Sequence, residues 1–147
     1  MESYATHTDH MSTADGRVSE LLQSMPFASV LGVEEVSTEA GQVSGSLAWH
    51  PERCTTAGVL HGGVLMGLAD SLGGLCAYLN LPEGGVGTTT IESKTNFLRA
   101  VRGGRVRGVA RPLHAGRTVI VVDTELRDDE GRLVARVTQT QAVLPQR

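Results

Sequence analysis

The chain has 147 residues, a formal net charge of −3 at pH 7, 40% hydrophobic residues and 20% charged ones. This is the length of one domain with a single core, and the balance excludes a fibrous chain, a disordered one and a basic nucleic-acid binder. Glycine is in excess at 18 residues, whereas only Tyr4, Phe27, Trp49, Tyr78 and Phe97 are aromatic, so the core has to be aliphatic.

In chain order, residues 1–14 form a polar stretch without an apolar signal core, expected to be a flexible tail ahead of a single domain at 15–147. His7 and His10 in this tail read as ordinary tail histidines and not as a metal pair. Asp15 offers an N-cap for a short helix that must stop by Pro26. Val30 to Val36 and Gln42 to Trp49 alternate partly around a turn at Glu39-Ala40-Gly41, which predicts two strands. After an irregular stretch, Leu65, Leu68, Leu72, Leu75, Cys76 and Leu79 recur at three- and four-residue steps, which predicts one long helix over 61–79. Four strands follow: Thr88 to Leu98 with Ile91 and Phe97 on one face, Arg105 to His114, Thr118 to Arg127 with Ile120, Val122 and Leu126 on one side, and Leu133 to Val143. Their short connections imply an antiparallel meander, so the fold class is α+β, a sheet of five to six strands covering one long helix.

Cys54 and Cys76 have neither metal-ligand nor disulfide-framework spacing, which makes reduced thiols in a cytoplasmic protein the simplest expectation. No run of about 18 apolar residues is apparent, so no membrane span is expected. His50, His61 and His114 do not form a metal-ligand set at any recognised spacing.

The chemistry concentrates at Val59-Leu60-His61-Gly62-Gly63-Val64-Leu65-Met66-Gly67-Leu68-Ala69-Asp70. A His-Gly-Gly turn opens the helix, where the first backbone N–H groups lack intrahelical acceptors and the helix dipole is positive, a place for a developing oxyanion. At about 100° per residue, Asp70 lies about 160° from Leu68 and Leu72, away from the core stripe. Its own face carries Gly63, Met66, Gly67, Gly73, Gly74 and Ala77, all small apart from Met66, as though something packs closely there. A solvated acidic residue over a close helix–sheet contact fits the same pattern; the His-Gly-Gly opening favours a site.

The string HGGVLMGLADSLGGLCAY and the later KTNFLRAVRGGRVRGVARPLHAGRTVIVVDTELRDDEGRLVA resemble the hotdog-fold acyl-CoA thioesterases, in particular the PaaI-like branch of the 4-hydroxybenzoyl-CoA thioesterase superfamily, over about Leu31 to Val143. The resemblance implies Asp70 as nucleophile or general base, the Gly62 N–H as oxyanion donor, His61 as the residue shaping the turn, and Thr90, then Thr89, as the hydroxyl that positions water. It also implies substrate contacts at Gly63, at Phe97 and in the turn His114-Ala115-Gly116-Arg117. Thr55 stands where the family often has Asn. The other branch, with Glu for this Asp and a Thr one turn later, is disfavoured by Asp70 and Gly74.

Gly62 and Asp70 are separated by about 12 Å along one helix, so both cannot reach one carbonyl in the same chain. A working site needs a homodimer with two composite sites, and many such relatives pair further into homotetramers. The expected partner is an acyl-CoA with a small aromatic or medium-chain acyl group, without cofactor, metal, nucleic acid or membrane; coenzyme A is part of the substrate. Arg105, Arg107 and Arg111 share a strand face with acidic neighbours and read as a solvated charge ladder, whereas Arg102 and Arg117 at turns are better phosphate ligands. Phe97, Tyr78 and Met66 are the side chains available to line an acyl pocket. A non-catalytic acyl-CoA-binding domain is the alternative from another class, and a hotdog dehydratase is disfavoured because the helix offers Asp without a second histidine.

Overall fold

The computed structural model describes residues 9–147. Its elements are α1 (Asp9–Gln23), α2 (Pro26–Leu31), β1 (Glu34–Glu39), β2 (Gln42–Ala48), α3 (Gly62–Leu79), β3 (Gly85–Phe97), β4 (Arg105–Ala115), β5 (Val119–Arg127) and β6 (Leu133–Pro145). The six strands form one antiparallel sheet in the order β1-β2-β4-β5-β6-β3, and α3 lies against β2 to β6.

Two glycines determine how close α3 comes to this sheet. Gly45 of β2 pairs with Gly108 of β4, and the Leu72 side chain of α3 sits on the pair. A Cβ at Gly45 would fall 2.8 Å from Leu72 Cδ2, and one at Gly108 would fall 2.6 Å from Leu72 Cδ1 and 2.9 Å from Leu126 Cδ2. Around this contact the aliphatic core closes, with Leu68, Cys76, Val106, Ile120, Val122, Leu126 and Val137 fully buried. The side that Ile120, Val122 and Leu126 share on β5 is therefore the buried one.

The rear of α3 is pinned as well. Ala40 (φ 49°) and Gly41 (φ 78°) turn the β1–β2 hairpin through left-handed backbone. The Gly41 carbonyl accepts from Asn80 Nδ2 (2.9 Å) and Cys76 Sγ (3.6 Å).

Several expectations change. The first helix begins at Asp9, so Asp15 is inside it and not at its cap, and residues 9–14 belong to α1. His7 and the side chain of His10 lie outside the described residues. Pro26 does not merely follow a helix but starts one: it is the first residue of α2, and Gly32 closes α2 in left-handed backbone, φ 86°. Val30 and Leu31 therefore belong to α2, and the strand starts only at Glu34. The last four strands are not a simple meander. β4, β5 and β6 are, but β3 pairs with β6 at the sheet edge, and β4 pairs instead with β2.

Ile91 is also displaced from its expected place on the Phe97 face. Thr90 pairs with Gln141 and Glu92 with Thr140, which leaves Ile91 as the extra residue of a bulge. By length and composition α3 can cross a membrane, contrary to the expectation from the sequence, but the sheet covers its apolar stripe.

The glycine pair predicts that Gly108→Ala costs about 1–3 kcal/mol of stability through overpacking against Leu72. Urea unfolding is expected to show a lower midpoint at unchanged slope, and a wild-type midpoint would show that α3 withdraws freely. The two cysteines are free, Cys54 half-buried and Cys76 buried. Burial pushes the Cys76 thiol up to about 11. A thiol reagent at neutral pH is expected to modify Cys54 in the native protein and to reach Cys76 only on unfolding.

Candidate active site

His61 caps α3. Its extended backbone (φ −61°, ψ 135°) turns the chain into the helix, and its Nδ1 accepts the Gly63 N–H at 2.8 Å. The His61 carbonyl takes the N–H groups of Val64 (2.9 Å) and Leu65 (3.4 Å). Of the first N–H groups of the helix, Gly62's alone has no acceptor among the described residues. A donor at a helix N-terminus is suited to an oxyanion. Phe97 lies over it: a Cβ at Gly62 would be 3.0 Å from the Phe97 ring. Gly62 opens into a cleft of about 420 Å³, where Thr55, Phe97 and Arg99 also lie.

Asp70, two turns further along α3, is exposed and faces a different cavity, of about 590 Å³. Thr88, Thr89, Thr90 and Gln141 line one side of it, and Leu21, Met25, Phe27 and Ala28 another. Thus α1 and α2 build an entire wall, which the sequence reading missed because it had no second helix at Pro26. Tyr78 lines this cavity, Phe97 lines the other cleft, and Met66 lines neither.

Beneath the Asp70 cavity are two glutamines that the sequence reading did not single out. Gln139 and Gln141 of β6 are 0% and 1% exposed. Gln139 Nε2 donates to Asp70 Oδ1 at 2.8 Å, and Gln141 Nε2 donates to Thr90 Oγ1 at 2.8 Å. Because Thr90 Oγ accepts this bond, its own hydroxyl proton remains available to a neighbour. Gln139 Oε1 is buried without a hydrogen-bond partner among the described residues, an arrangement that costs about 1–3 kcal/mol. The signal was in the strand pattern. Val137, Gln139, Gln141 and Val143 fall on one face, so polar residues occupy core positions.

The clearing role read for three glycines holds for one. Gly67 packs against Leu31 and Phe27 of α2, Gly73 lies under Gln139 Oε1, and Gly74 alone has open space above it and lines the cavity. His114, Ala115, Gly116 and Arg117 lie at the β4–β5 turn and line neither cavity; Gly116 there is fitted closely to His114 Nε2. Arg102 is engaged with the Ala57 carbonyl at 2.9 Å, so the cation beside Gly62 is Arg99. On the outer sheet face Arg105 pairs with Glu34, and Arg136 with Asp123 at 2.9 and 3.0 Å. Hydrogen bonding to Asp123 holds the Arg136 guanidinium above its ordinary value.

A family model described as the thioesterase superfamily matches residues 57–135, the segment from the turn before His61 to the start of β6. The chain belongs to the thioesterase superfamily. It is 41% identical over 87 residues to a 1,4-dihydroxy-2-naphthoyl-CoA hydrolase of Escherichia coli, covering 59% of this chain and 63% of that one. A solved thioesterase of Haemophilus influenzae superposes with a TM-score of 0.80 at 29% identity, over 87% of this chain and 90% of that one. A thioesterase of Pseudomonas aeruginosa in a mutant form superposes at 0.79 with 32% identity, over 86% and 94%. The six-stranded sheet around α3 is thus the hotdog fold of a thioesterase, and the protein is a thioester hydrolase.

The cap predicts a measurable loss. His61→Ala leaves the Gly63 N–H without its acceptor and is expected to destabilise this thioesterase by about 0.5–2 kcal/mol, read by thermal or urea unfolding.

Proposed function

We propose that this thioesterase hydrolyses an acyl-CoA with a small aromatic or medium-chain acyl group, using Asp70 of one subunit and the Gly62 N–H of another. The observation that carries this reading is the separation of the two groups. Within one chain the unpartnered Gly62 N–H and the Asp70 carboxylate open into different cavities. A thioester carbonyl held against the Gly62 N–H of one protomer then meets the Asp70 of its partner, in two sites related by a twofold axis.

The edge strand supports the pairing. β3 is 13 residues long, lies at the sheet edge, and carries exposed Ile91 and Phe97 with Leu98 just beyond. A long edge strand with unpaired backbone groups and exposed apolar side chains at these positions can pair with a second copy. A further pairing of dimers into a tetramer is compatible with the same arrangement. The likeness to a hydrolase of an aromatic CoA thioester supports the substrate class.

Chemically, Asp70 attacks the carbonyl to give an acyl anhydride that water then hydrolyses, or removes a proton from a water held by Thr90 as that water attacks the carbonyl; in either route the C–S bond breaks, coenzyme A leaves as thiol and the free acid is released. The Gly62 N–H stabilises the oxyanion, and the helix dipole adds to it. Tyr78, Phe27, Leu75 and Met25 supply apolar surface for the acyl group, and Thr88 and Ser71 add hydroxyls to the same wall. Thr55 and Arg99 flank the Gly62 cleft, where the thioester arm of coenzyme A enters. The turn His114 to Arg117 is assigned to coenzyme A on family resemblance. The protein is taken to work in the cytoplasm, with no cofactor of its own.

Two measurements test this. Asp70→Asn is expected to keep the oligomer while lowering kcat by about 100-fold or more on a panel of acyl-CoA thioesters followed through released thiol. Full activity in that variant removes the mechanism. Gly62→Pro deletes the N–H at a helix position that tolerates proline. Mixing the two inactive variants after subunit exchange is expected to restore about a quarter of wild-type activity, because half the dimers then carry one intact composite site. No recovery in exchanged mixtures removes the composite site.

A further inference from the structure

We propose that Gln139 is the positioning residue for Asp70, and that Gly73 is glycine so that Gln139 can reach it. The inference rests on the reading of Asp70 as the reacting carboxylate. Gln139 sits on β6, inside the sheet, 0% exposed, and its Nε2 is 2.8 Å from Asp70 Oδ1. An ionised carboxylate only accepts hydrogen bonds, so the carboxamide has one workable orientation, with nitrogen toward Asp70 and oxygen away. That orientation explains why Oε1 remains buried and unpartnered. Turning the amide over to give the oxygen a donor would aim a second acceptor at the carboxylate.

A neutral donor has a chemical advantage here. Lys or Arg in the same place would have to be desolvated in the core and would neutralise the carboxylate. An amide fixes one oxygen and leaves the negative charge intact. Oδ1 is held by Gln139, and no protein donor to Oδ2 exists among the described residues, which leaves that oxygen to the cavity. An attacking or proton-accepting atom held in one rotamer is what an in-place reaction requires.

Gly73 is the other half of the device. It follows Asp70 by three residues on α3, and a Cβ there would collide with Gln139 Oε1 and Cδ. The colliding atoms are the far end of a flexible side chain, so a methyl group at Gly73 pushes the amide off Asp70 without displacing backbone. The same methyl group favours the helix itself, since Ala is the better helix former. Gly73→Ala should therefore separate stability from activity, in the opposite sense to an ordinary core substitution.

The experiment uses the full chain and the acyl-CoA thioester that the wild type hydrolyses best. Gln139→Leu and Gly73→Ala are each expected to lower kcat about 10- to 100-fold, the worth of one hydrogen bond to a charged group, with KM changed less than about twofold. Gly73→Ala is expected to unfold at or above the wild-type temperature. Combining both substitutions is expected to lower kcat no further than the stronger single change, because both remove the same bond. A wild-type kcat in Gln139→Leu, or losses that multiply in the double variant, overturns the proposal. Asp70→Asn, measured alongside, separates two failures. If it is inactive while Gln139→Leu is fully active, only this inference falls; if it is itself fully active, the reading beneath falls.

Discussion

The contact on which the rest depends is the seating of Leu72 on Gly45 and Gly108. A helix normally rides on a sheet at a distance set by side chains on both surfaces, about 10 Å between layers. Here the sheet offers two facing hydrogens in place of side chains, and Leu72 of the helix occupies the space that side chains would take. That seating has consequences along the same helix. Gln139, a side chain of ordinary length on β6, reaches Asp70, which the helical count places away from the core stripe. At a wider spacing the amide would end in the core with nothing to bond. The aliphatic composition is part of this constraint, because bulky aromatic side chains between the layers would prevent the approach.

Much of the site was legible in the chain because its signals are local. The His61-Gly62-Gly63 opening and the position of Asp70 away from the core stripe follow from local sequence and helix geometry, and the structure has Gly62 opening the helix and Asp70 exposed. Residues whose role comes from another element were not legible in that way. Gln139 and Gln141 are 69 and 51 residues from the partners they hold, and only the pairing of β3 with β6 brings Thr90 beside Gln141. The pattern of β6 did show two amides at inward positions. Reading them needed the knowledge that α3 crosses above.

Two of the differences share a physical origin, a break in a regular period. Pro26 and Gly32 enclose a helix of six residues, too short to display a repeat, so its apolar residues were absorbed into a strand. The extra residue at Ile91 reverses the alternation midway along β3, and another at Leu113 does so near the end of β4. Bulges of this kind gather next to sites because they re-aim a side chain. The bulge at Ile91 lets Thr90 face inward on one side of it while Phe97 faces inward on the other, so one strand serves both cavities.

The wall contributed by α1 and α2 divides the cavity by origin. Asp70, Thr90 and the two glutamines belong to the helix and the sheet. Leu21, Met25, Phe27 and Ala28 come from the first 31 residues, which pack on β1 as well as on α3. Part of the cavity wall thus comes from a stretch of chain that carries neither Asp70 nor the hydrogen bonds of the two glutamines, so the shape of the cavity can be varied there without replacing any of those groups.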